Sequence, residues 1–192
     1  MSYSVCRARD TAAGSSRRGK PAERLTWAVD TMAVCPADRL LEIGSGHGVA
    51  VSLVCEKLDG GTIAALDRSA TMVKAATKRN ADYIDAGVAS FQTASLHEAD
   101  LGRSRYDKIF AIHVGLFLRG KPARELELIR NHLSPGGRLY LVYQPLEAGK
   151  AQETVETLTS VLDHHGFTVV EVLVHDLPAA RVTCVIAEDR PS

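Results

Sequence analysis

Cysteine is scarce in this 192-residue chain, and its four copies, Cys6, Cys35, Cys55 and Cys184, stand at no spacing used for metal ligation or dithiol redox chemistry. With no secretory leader ahead of them, they read as reduced thiols of a cytoplasmic protein, and no metal site is expected. Long apolar runs are missing too. None approaches the ~20 residues of a membrane-spanning helix, so no membrane partner is expected. An excess of charge is also absent, because 23 Lys and Arg balance 23 Asp and Glu. That balance removes the electrostatic signature of a nucleic-acid binder or a protein drawn to anionic lipid. Internal repeats and low-complexity tracts are lacking as well. What remains is 45% hydrophobic and 24% charged, the composition of one globular domain large enough to bury a core.

Charge is less even locally. Arg7, Arg9, Arg17, Arg18, Lys20 and Arg24 face only Asp10 and Glu23, interleaved with "TAAGSS". Residues 1–20 are therefore expected to be a disordered basic arm, and residues 21–192 a single domain.

Beyond Pro21 two periodicities alternate. Leu25, Ala28, Val29 and Met32 share a helical face, and "DRLLEIG" reads as a short buried strand. A helix from Val49 to Leu58 and the strand "TIAALD" follow. Ser69 caps a long helix carrying Met72, Val73, Ala76, Tyr83 and Ile84 on one side and ending at Gly87. Next come the strands "VASFQTAS" and "YDKIFAIHV", a helix opened by Pro122, a "SPGG" break and the strand "RLYLVYQ". A last helix from about Ala151 to His165 precedes "FTVVEVLVHDL" and "RVTCVIAE", which pair as a hairpin. The fold expected is α/β: a doubly wound, mostly parallel seven-stranded sheet with one antiparallel strand near the C-terminal edge and helices on both faces.

In such a sheet the turn after the first strand sits where ligands bind. Here it reads "LLEIGSGHGVA", with Gly44, Gly46 and Gly48 at alternate positions. Glycine lets ligand approach the backbone closely. A dinucleotide fingerprint requires glycine or alanine three residues after Gly46, where Val49 stands, and that disfavours a nicotinamide oxidoreductase. A phosphate-binding P-loop requires Gly-Lys-Ser/Thr, which is absent.

The remaining pattern, Glu-x-Gly-x-Gly-x-Gly after a strand, resembles the first motif of the class I, Rossmann-like S-adenosylmethionine-dependent methyltransferases. "LDRSATM" at residues 66–72 and "LSPGGRLYLV" at residues 133–142 are similar to that family's second-strand motif and its turn into the fifth strand. The resemblance implies S-adenosyl-L-methionine as cofactor. Glu42 would meet its amino group or orient the loop, with Gly44, Ser45, Gly46 and Gly48 as open backbone, and Asp67 would accept from the ribose hydroxyls. Many relatives carry an aspartate after strand three for the adenine amino group. Here Ser95 stands there, with the amide of Leu96, and Asp100 or Glu98 are the alternatives in the same loop. Arg68 and Met72 are placed over the adenine faces, Met72 with an equal reading as core.

A sulfonium is already an activated methyl donor, so catalysis consists of placement, plus a base where the nucleophile carries a proton. His113, ending strand four, is the candidate base, or alternatively a side chain shaping the pocket. Tyr143, Gln144 and Phe117 are candidates for the acceptor pocket, and Trp27 is either a lid or core. Arg119 and Lys121 either hold an acceptor carboxylate or form a solvated helix entrance. No inserted cap, Asn-Pro-Pro-Tyr tetrapeptide or basic stripe within the folded part is present, which favours a small-molecule acceptor methylated on O, N or C. A protein or RNA methyltransferase using the basic arm, or a non-catalytic S-adenosylmethionine-binding protein, are the alternatives. Nothing separates a monomer from a homodimer.

Overall fold

Leu40, Leu41, Glu42 and Ile43 are all buried, so β1 (Arg39–Ile43) keeps no face for solvent and must lie inside a sheet covered on both sides. The computed structural model that places it there describes residues 22–145, 150–178 and 180–190, and the basic arm expected at 1–20 lies outside them. Along the chain α1 (Glu23–Thr31) precedes β1, and α2 (Val49–Cys55) leads to β2 (Thr62–Asp67). Next, α3 (Ala70–Arg79) and α4 (Ala81–Asp85) lead to β3 (Ala89–Thr93), and a 3₁₀ turn at Leu96–Glu98 leads to β4 (Tyr106–Ile112). Then α5 (Leu116–Arg119) and α6 (Ala123–His132) precede β5 (Leu133–Tyr143), and α7 (Lys150–His164) precedes β6 (Phe167–Leu177) and β7 (Ala180–Asp189).

The strands form one seven-stranded sheet in the order β3-β2-β1-β4-β5-β7-β6. Only β7 runs against its neighbours, β5 and β6, as expected. Alternation along β1 divides two cores. Leu41 and Ile43 join Ile109, Leu139, Leu158 and Phe167 on one face, while Leu40 joins Val51, Ile63, Phe110 and Met32 on the other. Among the described residues no helix is long and apolar enough to cross a membrane.

One local expectation needs correction. The long helix expected from Ser69 to Gly87 is two helices. Ser69 does cap the first, accepting from the Met72 amide, but the chain leaves helical geometry at Asn80, with φ −109° and ψ 22°. Asn80 is completely buried and uses its amide to bond other parts of the chain, which carries its backbone out of the helix. Between β3 and β4, "ASLHEADLGRSR" has no apolar helical period and forms only the 3₁₀ turn. A groove of ≈ 530 Å³ is therefore left along β2 and β3.

Candidate functional site

β1 lies between β2 and β4, and the chain moves outward from it in both directions, so the carboxyl end of β1 is the switch point of the sheet. The glycine loop occupies it. Gly44, Gly46 and Gly48 all have positive φ, at 76°, 52° and 69°, a region that side-chain-bearing residues avoid. This winding turns successive backbone N–H groups to different partners. The Gly44 and Ser45 amides donate to the Leu66 carbonyl at 2.8 and 2.9 Å, and the Gly46 amide donates to Asp67 Oδ2 at 2.8 Å. The other carboxylate oxygen of Asp67 accepts from the Ser69 amide at 2.9 Å. Asp67 thus pins the loop to the end of β2, and each of its oxygens keeps a second lone pair for a ligand hydroxyl.

A second clamp was not foreseen from the sequence. Asn80 Nδ2 donates to the Gly48 carbonyl at 3.0 Å and to the Ala76 carbonyl at 2.9 Å, and its Oδ1 accepts from the Ser52 hydroxyl at 2.6 Å. A Cβ on Gly48 would stand 2.7 Å from that amide nitrogen, so glycine here serves packing as well as conformation. The signal was present: Asn80 is a polar residue four positions after Ala76 on an otherwise apolar helical face. Asn80→Ala is expected to cost about 2–3 kcal/mol, because buried partners lose their bonds. Denaturant unfolding with a loss below about 0.5 kcal/mol, the scatter of ordinary surface changes, would contradict that role.

Beside the loop is a cavity of ≈ 270 Å³, walled by Arg24 and Leu25 of α1, Glu42, residues 44–47, the start of α2, and Ile112 with His113. A Cβ on Gly46 would meet nothing within 4 Å, so this wall is open backbone. Glu42 is 2% exposed, and its Oε2 has no hydrogen-bond partner. The buried hydroxyl of Ser45 has none either. Burial, with the charge of Asp67 adding to it, pushes the Glu42 carboxyl up to about 8. A buried acid without a partner, at the floor of a cavity with an arginine in its wall, is complementary to a ligand carrying both ammonium and carboxylate.

His113 follows β4, its amide donating to the Val142 carbonyl at 2.7 Å, and adopts φ 60°. A left-handed conformation away from glycine costs energy and clusters at functional positions. Its ring lies 6.1 Å from that of Tyr143. Desolvation first, then the charges of Arg24 and Arg119, hold the imidazole below the usual histidine range. These effects favour the neutral ring over the charged one.

Other expected residues lie elsewhere. Phe117 is 1% exposed within the core, so it does not offer a surface to an acceptor. Tyr143 is also buried, and its hydroxyl donates to the Val114 carbonyl. Gln144 is half-buried just beyond β5, and Met72 and the exposed Arg68 do not line the cavity. Leu96 is core, and the Ser95 hydroxyl donates to the Glu98 carboxylate, leaving its oxygen able to accept. Trp27 stacks on His175 with ring centroids 5.7 Å apart, away from the cavity wall. No cluster of three or more metal-ligating side chains occurs among the described residues.

Comparison with known proteins bears on the family and the fold. Residues 41–139 match the family model of the methyltransferase domain. The chain is 24% identical over 131 residues to YdaC of Bacillus subtilis, described as an uncharacterized methyltransferase, covering 68% of this chain and 70% of that one. It is similar in structure to the CcbJ methyltransferase from Streptomyces caelestis, with TM-score 0.71 and 16% identity over 90% of this chain and 92% of that one. It is also similar to a SAM-dependent methyltransferase from Geobacter sulfurreducens in complex with S-adenosyl-L-homocysteine, with TM-score 0.63 and 16% identity, covering 88% and 92%. The family match spans more than half of the chain and contains the glycine loop, Asp67 and His113, so the protein belongs to the methyltransferase domain family and has its class I, Rossmann-like fold.

Proposed function

We propose that the protein transfers a methyl group from S-adenosyl-L-methionine to an oxygen, nitrogen or carbon nucleophile of a small-molecule acceptor. The observation that carries this reading is the unpartnered, buried Glu42 carboxyl at the floor of a cavity whose wall is the bare backbone of Gly46. When bound, the cofactor would supply an activated methyl group on a sulfonium, so the protein's own residues have only to hold it, place the acceptor and remove a proton where there is one.

Glu42 accepts from the amino group and Arg24, in the same wall, receives the carboxylate. Asp67 receives the ribose hydroxyls through its free lone pairs. Ser95, with the Leu96 amide, receives the adenine edge, while Arg68 and Met72 flank the ring. His113 takes the acceptor's proton onto an imidazole nitrogen where there is one to lose. Tyr143 and Gln144 close the acceptor side, Tyr143 by fixing the Val114 carbonyl and hence the segment after His113. The scattered cysteines, at no metal or dithiol spacing, support a cytoplasmic enzyme.

Calorimetry with S-adenosyl-L-methionine and S-adenosyl-L-homocysteine tests the cofactor, and release of S-adenosyl-L-homocysteine across an acceptor screen tests transfer. Absence of heat with both ligands at millimolar concentration would overturn the reading. Asp67→Ala is expected to weaken S-adenosyl-L-homocysteine by on the order of 1–3 kcal/mol, and Asp67→Asn by less, since the amide keeps one acceptor oxygen. Wild-type affinity in Asp67→Ala would remove Asp67 from the site.

A further inference from the structure

We infer that the free edge of β6 is where two copies of this chain join, their β6 strands pairing antiparallel about a two-fold axis at Leu173 so that the two sheets become one. No residue of the cavity wall lies on β6, and the inference does not depend on the methyltransferase reading.

The strand order leaves two edges, β3 and β6. β3 is five residues long and presents Ser90 and Thr93 to solvent, so shortness and polar side chains protect it. β6 is eleven residues long, and its backbone pairs only with β7. Its sequence, "FTVVEVLVHDL", contains no proline, lysine or arginine, the residues that commonly keep an edge strand from pairing. A bulge at Val170 interrupts the register with β7, but from Glu171 to Leu177 the strand is regular. The side chains of this edge are also unsuited to solvent. Val170, Val172 and Val174 are 44%, 39% and 53% exposed, and they are the exposed large apolar residues among those described. Apolar side chains scattered singly over a surface need no explanation, whereas three gathered on one unpaired edge mark a contact.

The same strand carries the means to pair with itself. A two-fold axis perpendicular to a sheet passes between two copies of one residue, and side chains opposite each other across it share a face. With the axis at Leu173, Val172 stands opposite the partner's Val174 and Val174 opposite the partner's Val172, so four valines meet on one face. On the other face Leu173 meets the partner's Leu173, and to either side of it Glu171 stands opposite the partner's His175. Glu171 forms no ion pair among the described residues. The exposed His175 ring is already held by Trp27, with centroids 5.7 Å and planes 9° apart, so it gives up little freedom when an N–H donates to the carboxylate. Shifting the axis by one residue destroys the match. At Val172 it sets Glu171 opposite Leu173 and His175 opposite Val169, and at Val174 it sets Glu171 opposite Leu177 and Val172 opposite Asp176. Charge and apolar pairing therefore select the same register, and a one-residue slip would lose both.

Sedimentation velocity on the full chain tests the association. An interface of one strand per copy is at the small end for protein pairs, so a monomer–dimer equilibrium with Kd on the order of 1–100 μM is expected. Val174→Lys places an ammonium against the partner's Val172 and should weaken the dimer at least ~10-fold, and Val172→Lys should do the same. Both positions are exposed, so the melting temperatures should stay within about 4 °C of wild type. The register is read by cross-linking. Mixed Val172→Cys and Val174→Cys chains should form a disulfide-linked dimer under mild oxidation, while either variant alone links no more than wild type, because each new cysteine faces a valine in a copy of itself. A wild-type monomer throughout that concentration range, an unweakened dimer in both lysine variants, or linking of each cysteine variant with itself as readily as in the mixture would each overturn the inference.

Discussion

Glu42→Gln is expected to make the ligand-free protein more stable at pH 8 and, in the same variant, to weaken the cofactor. In the unfolded chain this carboxyl ionises near 4.5, whereas burial in the folded state raises it to about 8. Between those values the unfolded state has released a proton that the folded state still holds, so wild-type stability falls as pH rises through this window and levels off above about 8. A glutamine of the same shape carries no such linkage. The expected gain at pH 8 is roughly 2–4 kcal/mol, seen as a melting temperature higher by about 4–15 °C for a domain of this size. Glutamine also loses the acid that meets the cofactor's ammonium, so affinity for S-adenosyl-L-homocysteine should fall at least ~30-fold, the ~2 kcal/mol of a charge-assisted hydrogen bond. Because wild type must release the Glu42 proton to bind, its affinity should improve about tenfold per pH unit as pH approaches 8, and the variant should show no such slope. Equal melting temperatures for the two proteins at pH 5 and at pH 8 would show that Glu42 is not held protonated.

Changes at His113 should also divide stability from activity. The residue sits at φ 60°, where glycine is at ease and a histidine is not. His113→Gly is therefore expected to be as stable as wild type or more stable by up to about 1 kcal/mol. If the imidazole removes the acceptor's proton, the same change lowers turnover by about 10²- to 10⁴-fold with cofactor affinity nearly unchanged. Its pKa lies below the usual histidine value, so the wild-type rate should hold level through neutral pH and fall only in the acid range, as the base becomes protonated. His113→Gln separates the two roles, since it fills the space without accepting a proton at this pH. Near-normal turnover in His113→Gln, with a raised acceptor KM, would assign His113 to shaping the pocket and leave methyl transfer to placement alone.

The strand rhythm, the Glu-x-Gly-x-Gly-x-Gly turn and the acid at the end of β2 were legible in the chain itself. Each depends on short-range constraints: period-two and helical apolar patterns, positive φ at Gly44, Gly46 and Gly48, and a strand length that brings Asp67 level with the loop. From these the doubly wound sheet and the place of the candidate site followed, because parallel strands with covering helices leave one crevice at their carboxyl ends. Tertiary structure alone decided which polar groups meet there. It turned Asn80 inward and broke the expected long helix, brought Arg24 of α1 into the cavity wall, put Phe117 in the core and left Glu42 Oε2 without a partner. None of these has a local signature strong enough to choose it. Each results from surfaces distant in sequence meeting at close packing, where a side chain's partner is set by what the other elements leave uncovered.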